Sequence, residues 1–155
     1  MDLDIGIGKK KREAAADALT QALADTYALY QRTHQFHWNV TGPRFAGLHT
    51  LFETQYNELW LAIDLIAERI RALGVLVPSH AELARRTTIG EDNDPAPDDN
   101  AMLASLAKGN EAVVKTLRAA LKTAEEAGDD AGADLMTQRI AAGEKAAWML
   151  RAHLA

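Results

Sequence analysis

The sequence predicts an all-α protein: a four-helix bundle with a short extra helix between the second and third long helices. Three observations carry that expectation. Thirty alanines stand against twelve valines and isoleucines together, a bias toward helix formers and away from strand formers. Pro43, Pro78, Pro95 and Pro97 fall among turn-type residues and divide the chain into long helical stretches. The second of those stretches repeats its apolar residues with a helical period.

The first helix spans about residues 10–38 and stops at Asn39-Val40-Thr41-Gly42-Pro43, a strong breaker. The second spans about residues 45–73, with Gly74 as its cap because glycine accepts the left-handed backbone there. A short helix follows over residues 79–86, with Ser79 as N-cap. Residues 90–100 form an acidic loop. A third long helix runs over about residues 100–126, residues 127–130 turn, and a fourth runs to about His153. Four long helices joined by modest connections define a bundle.

Composition narrows the function. The chain has 155 residues, one domain's worth, and no cysteine. That removes disulfide scaffolds, cysteine nucleophiles and thiolate metal sites, and fits a cytoplasmic location. Lys plus Arg number 17 and Asp plus Glu 22, a formal charge of −5, which argues against a dedicated nucleic-acid module. No apolar run is long enough for a membrane helix, and MDLDIGIGKKKRE lacks the order of a signal peptide. Residues 1–12 are expected as a short flexible tail with a basic cluster, and residues 13–155 as the domain.

The second helix carries two stripes. At about 100° per residue, Leu48, Phe52, Leu59, Ile63, Ile66, Ile70 and Leu73 fall within about 80° of arc, an ordinary core face. Beside it run His49, Glu53, Trp60, Asp64 and Glu68. A solvated face has no need of a tryptophan, so this stripe reads as a second interface with polar chemistry in it. His49 with Glu53, and Asp64 with Glu68, are each spaced i, i+4 and share one patch of surface. Imidazole with carboxylate suits iron, manganese or zinc.

Fifteen residues separate the pairs, about 22 Å along the axis. A single metal cannot reach both pairs in one chain. A second copy packed antiparallel across a two-fold axis brings His49 and Glu53 of one chain against Asp64 and Glu68 of the other, twice over. His37 closes the first helix on its inward line and can supply another imidazole. The alternative of a metal site inside the bundle uses Glu-x-x-His motifs, and the chain contains none.

The run HWNVTGPRFAGLHTLFETQYNELWLAIDLIAERIRALG, residues 37–74, resembles the Dps family of mini-ferritins. The pattern is His-Trp-Asn, a turn, His, an acid four later, Asp eleven further, and Glu four after that. His37, His49, Glu53, Asp64 and Glu68 fill it. GEKAAWMLRAHL near the C-terminus is similar to the family's last helix. The resemblance covers residues 17–154. Glu53 departs from it, since many members carry Asp there.

The resemblance implies a ferritin-like bundle assembled as a hollow homododecamer. It implies that Fe(II) is bound between two-fold-related subunits, oxidised preferentially by hydrogen peroxide, and stored as ferric mineral, a protection against oxidative stress. His37, His49 and Glu53 then come from one subunit, Asp64 and Glu68 from its partner. Two irons supply one electron each to peroxide, which avoids free hydroxyl radical. Trp38, beside a ligand, is placed to intercept a stray oxidising equivalent.

Other features have plainer readings. The ligand stripe could be an interfacial salt-bridge network. Trp38 and Trp60 could be core or interface packing, and His34 a partly buried histidine or an extension of the site. His80 and His153 are expected to do nothing special. Asp129, Asp130 and Asp134 suit a helix N-terminus; the resemblance adds a pore at a three-fold axis that guides Fe(II) inward. Glu91, Asp92, Asp94, Asp98 and Asp99 are expected simply to be solvated. Lys9, Lys10, Lys11 and Arg12 form the basic cluster. Some family members bind DNA through such a tail, so a DNA-binding particle with secondary iron chemistry is the alternative function, and a structural oligomer with a zinc-filled site is a third.

Overall fold

The structure, a computed structural model, describes residues 3–90 and 94–155. Its elements are α1 (Lys9–Asn39), α2 (Phe45–Ala72), α3 (His80–Arg86), α4 (Asp99–Ala127) and α5 (Asp130–Ala152), with no strand among the described residues. The helices follow the sequence reading to within one or two residues. α1 packs along both α2 and α4, α4 packs along α5, and α2 touches α5 only lightly. The short α3 rests on α1.

The core is the expected one. Leu48, Phe52, Ile66 and Ile70 of α2 are fully buried against Leu19, Leu23, Leu29 and Phe36 of α1 and Met102, Leu103 and Leu106 of α4. Burial of side chains this size stabilises by about 1.5–3 kcal/mol each before chain entropy is counted. Gly109 lets α4 approach α1 closely: a β-carbon there would stand 2.7 Å from Leu29 Cδ1.

The helix ends show why the breakers work. Beyond α2, Gly74 takes φ +89°. Its N–H donates to Arg71 O and the N–H of Val75 to Ile70 O, which satisfies two carbonyls of the last turn. Ser79 caps α3, its hydroxyl accepting from the Glu82 N–H.

Several charged residues read as solvated or mobile also make defined contacts, Asp94 and Asp98 while staying exposed as expected. Asp98 caps α4, accepting from the Ala101 N–H at 2.9 Å, and Asp94 accepts from the Ala96 N–H. Asp99 is paired with Arg44 at 2.8 Å. Glu91 and Asp92 lie outside the described residues. The basic run is not a tail: α1 begins at Lys9, so Lys9, Lys10 and Lys11 stand exposed on its first turn. Arg12 turns inward and donates to the carbonyls of Leu3 and Ile7.

One buried acid fastens the connection after α3. Asp25 of α1 is fully buried. Its carboxylate accepts from the Thr87 hydroxyl, the Thr88 N–H and hydroxyl, and the Thr116 hydroxyl, at 2.6–3.0 Å. Four donors from two other segments satisfy an ion that would otherwise be costly to bury.

Candidate metal centre

The turn between α1 and α2 sets the geometry. The Val40 N–H closes α1 on Phe36 O, Gly42 at φ +96° reverses the chain, and the Phe45 N–H bonds Gly42 O. α2 therefore doubles back beside the end of α1, and His49 in its second turn meets His37 in the last turn of α1. The rings stack with centroids 3.8 Å apart and planes 20° apart. His37 is buried and His49 half-buried.

The two histidines are tied reciprocally. His37 Nδ1 donates to the main-chain carbonyl of His49 at 2.9 Å, and His49 Nδ1 donates to the carbonyl of His37 at 2.8 Å. A carbonyl only accepts, so each Nδ1 carries the hydrogen. In the neutral ring the lone pair then sits on Nε2, the arrangement in which a protein imidazole binds a metal. His37 O belongs to the last turn of α1, where helix carbonyls lack partners in the helix; the His49 ring supplies one.

Glu53, Asp64 and Glu68 are exposed along α2, and their side chains make no hydrogen bond or ion pair among the described residues. Some acids elsewhere on the bundle are paired: Glu58 with Arg139, Glu111 with Arg151, Glu144 with Arg118. α2 runs unbroken from Glu53 to Glu68, so Asp64 and Glu68 stay far from the histidines of their own chain. Among the described residues no three His, Asp or Glu side chains gather into a cation-binding group. The structure joins His37 with His49 and leaves the carboxylates apart.

Around the histidines lies an aromatic cluster that the sequence reading did not assemble. Tyr56 meets His37 edge-on at 5.1 Å and stacks on His34 at 4.2 Å. Trp38 lies 4.1 Å from His34, and Tyr30 lies 5.5 Å from Trp60. The Tyr30 hydroxyl is 3.2 Å from His34 Nδ1. Burial lowers the His34 pKa, with the neighbouring His37 adding to the effect. Burial raises the Tyr30 pKa, with Tyr27 and Tyr56 adding to it. The periodicity could have revealed Tyr56, which follows His49 by seven residues and so shares its stripe. Trp38 and Trp60 are 64% and 54% exposed, so neither is a core residue of the single chain. His80 stacks on Tyr27 at 5.2 Å.

The three acids of the expected pore separate. Asp129 is fully buried; it caps α5 through the Gly132 N–H and pairs with Arg69. A carboxylate so engaged is no pore lining, which corrects the sequence expectation. Asp130 and Asp134 are exposed, Asp134 accepting from Gln138 at 2.7 Å.

A bundle of this topology, with a histidine pair beside carboxylates that have no partner among the described residues, has the architecture of the ferritin-like proteins, and the family model described as "Ferritin-like domain" matches residues 16–155. A DNA protection during starvation protein of Brevibacillus brevis is 34% identical, the match spanning 92% of this chain and 96% of the relative. An uncharacterised low-temperature-induced protein of Nostoc is also 34% identical, over 98% of this chain and 86% of its own. The crystal structure of a Dps protein from Vibrio cholerae O1, described as a member of a superfamily of ferritin-like diiron-carboxylate proteins, superimposes with a TM-score of 0.92 at 32% identity, covering 100% of this chain and 98% of that one. The chain belongs to the Dps family.

Proposed function

We propose that the chain is a ferroxidase and iron-storage protein whose active sites form between two-fold-related copies. The carrying observation is the reciprocal His37–His49 pair, which uses both Nδ1 atoms and leaves each Nε2 lone pair available beside a stripe where Glu53, Asp64 and Glu68 have no partner among the described residues. His37, His49 and Glu53 of one copy bind Fe(II) with Asp64 and Glu68 of the other. Carboxylate oxygens favour Fe(III), the harder ion, over Fe(II). Hydrogen peroxide is the preferred oxidant, and the ferric product collects inside a hollow dodecamer in the cytoplasm. Asp130 and Asp134 are the acids left to guide Fe(II) inward. The exposed Trp38 and Trp60 support a buried interface on this face, since large apolar side chains gain by leaving water.

The test is anaerobic loading with Fe(II), then peroxide, with ferric absorbance as the readout. Fast oxidation to a soluble product, abolished in a His49→Ala plus Asp64→Ala double variant, is expected. Equal rates in both proteins would remove the assignment.

DNA binding is the second reading. Lys9, Lys10 and Lys11 are exposed on the first turn of α1, and repeated copies of weak phosphate contacts gain by avidity. A gel shift lost at raised salt and in a triple Lys→Ala variant tests it.

A further inference from the structure

We propose that Tyr30, hydrogen-bonded to His34, is a redox-active tyrosine that lends an electron to peroxide when only one Fe(II) occupies the site. The inference rests on the ferroxidase reading and adds a residue and a reaction to it. A lone Fe(II) supplies one electron, and cleaving the O–O bond of peroxide with one electron releases hydroxyl radical. A second donor within reach prevents that.

The rings provide the route. From His37, which is stacked on His49, contact passes to Tyr56 at 5.1 Å and on to Tyr30 at 6.3 Å, or to His34 at 6.2 Å and on to Tyr30 at 5.5 Å. These are ordinary aromatic contact distances, so the path has no gap. Tyr30 also meets Trp60 at 5.5 Å and Tyr27 at 6.0 Å.

The choice among tyrosines is made by the proton. A phenol that gives up an electron becomes a strong acid and must give up its hydrogen as well. The Tyr30 hydroxyl has an imidazole nitrogen 3.2 Å away to receive it. The hydroxyls of Tyr56 and Tyr27 have no hydrogen-bond partner among the described residues. Tyr30 is also half-buried, whereas Trp38 is largely exposed, so a radical on Tyr30 is better shielded from solvent.

Two steps close the balance. In the first, Fe(II) and Tyr30 each give one electron to hydrogen peroxide and the O–O bond breaks. The phenolic proton crosses to His34 Nδ1 and passes on to one of the two hydroxides. The products are Fe(III), hydroxide, water and a neutral tyrosyl radical. In the second, the next Fe(II) reduces the radical, which takes a proton from water, giving Fe(III), hydroxide and the restored phenol. Two Fe(II) are thus oxidised per peroxide although they arrive singly.

The experiment uses the full assembled protein, loaded anaerobically with no more than one Fe(II) per subunit, mixed with peroxide and freeze-quenched for electron paramagnetic resonance. A tyrosyl signal, narrowed by ring-deuterated tyrosine, is expected in the unsubstituted protein. It is expected to vanish in Tyr30→Phe, to weaken in His34→Phe, and to persist in Trp60→Phe. Spin-trapped hydroxyl radical should rise in Tyr30→Phe, most at low iron loading. Normal Fe(II) oxidation with no tyrosyl signal, or with the signal intact in Tyr30→Phe, would overturn this inference alone. No oxidation of Fe(II) by peroxide in the unsubstituted protein would overturn the ferroxidase reading and this one together.

Discussion

His37 and His49 each hold the other in place: the Nδ1 of each ring donates to the main-chain carbonyl of its partner, at 2.9 and 2.8 Å, and the rings stack between them. The pair joins the last turn of α1 to the second turn of α2. Ring orientation, tautomer and helix packing are therefore one structural unit, and the placement of the two Nε2 atoms depends on both residues at once.

That coupling predicts non-additive loss of metal binding. His37→Ala removes a ligand and also the ring stacked on His49, while the main-chain carbonyl that accepts from His49 Nδ1 remains, and the reverse holds for His49→Ala. Each single variant is expected to lower affinity for Co(II), a spectroscopic probe, by about 10–100-fold. The double variant is expected to lose little more than either single. Losses that add in full, by titration calorimetry, would show the two rings acting independently.

The division of ligands between copies predicts complementation. His49→Ala and Asp64→Ala proteins are each expected to be inactive. In a mixed dimer one of the two sites keeps His49 from one chain and Asp64 from the other. Proteins unfolded together and reassembled should recover about a quarter of the full ferroxidase rate, as random pairing of the two chains requires. Recovery of none would place all the ligands on one chain or elsewhere.

Asp129 and Asp134 predict opposite phenotypes. Asp129→Ala removes the α5 cap and strands Arg69, a loss of about 3 kcal/mol, read as a lower urea midpoint. Asp134→Asn alters an exposed side chain and should change stability by less than about 0.5 kcal/mol, while slowing Fe(II) entry at low iron. Equal stability of the two variants would contradict the buried pairing of Asp129.

Arg44 and Asp99 predict a pH-dependent clamp. The hydrogen bond from Arg44 is the largest influence on Asp99 and holds its pKa below the usual carboxylate range. The guanidinium also donates to Asn100 at 2.8 Å and to His153 O at 3.4 Å, joining the α1–α2 turn to the start of α4 and the end of α5. A depressed carboxylate stabilises the fold at every pH above its unfolded value, and this contribution is lost as pH falls through the lower folded value. The stability gap between the unsubstituted protein and Asp99→Asn should stay constant from neutral pH to the ordinary carboxylate pKa, then close in more acid solution. Urea unfolding across that range measures it; a gap that closes nearer neutrality would rule the clamp out.

The sequence by itself determined the helices, their ends and the core face of α2, because these depend on local rules. Proline and glycine break helices wherever they stand, and Leu48, Phe52, Ile66 and Ile70 share a face through the helical repeat alone. The polar stripe of His49, Glu53, Asp64 and Glu68 was legible for the same reason, as was the distance that keeps its two halves apart. What needed the tertiary structure was every contact between elements distant in the chain. Residue spacing cannot say that the His37 and His49 rings clasp each other's backbone, that Tyr30 on α1 meets Trp60 on α2, or that Asp129 faces Arg69 rather than solvent. An acid at a helix start reads the same whether it caps in water or is buried under an arginine. Only the packing of α5 against the rest of the bundle decides which, because burial and pairing depend on neighbours sixty residues away.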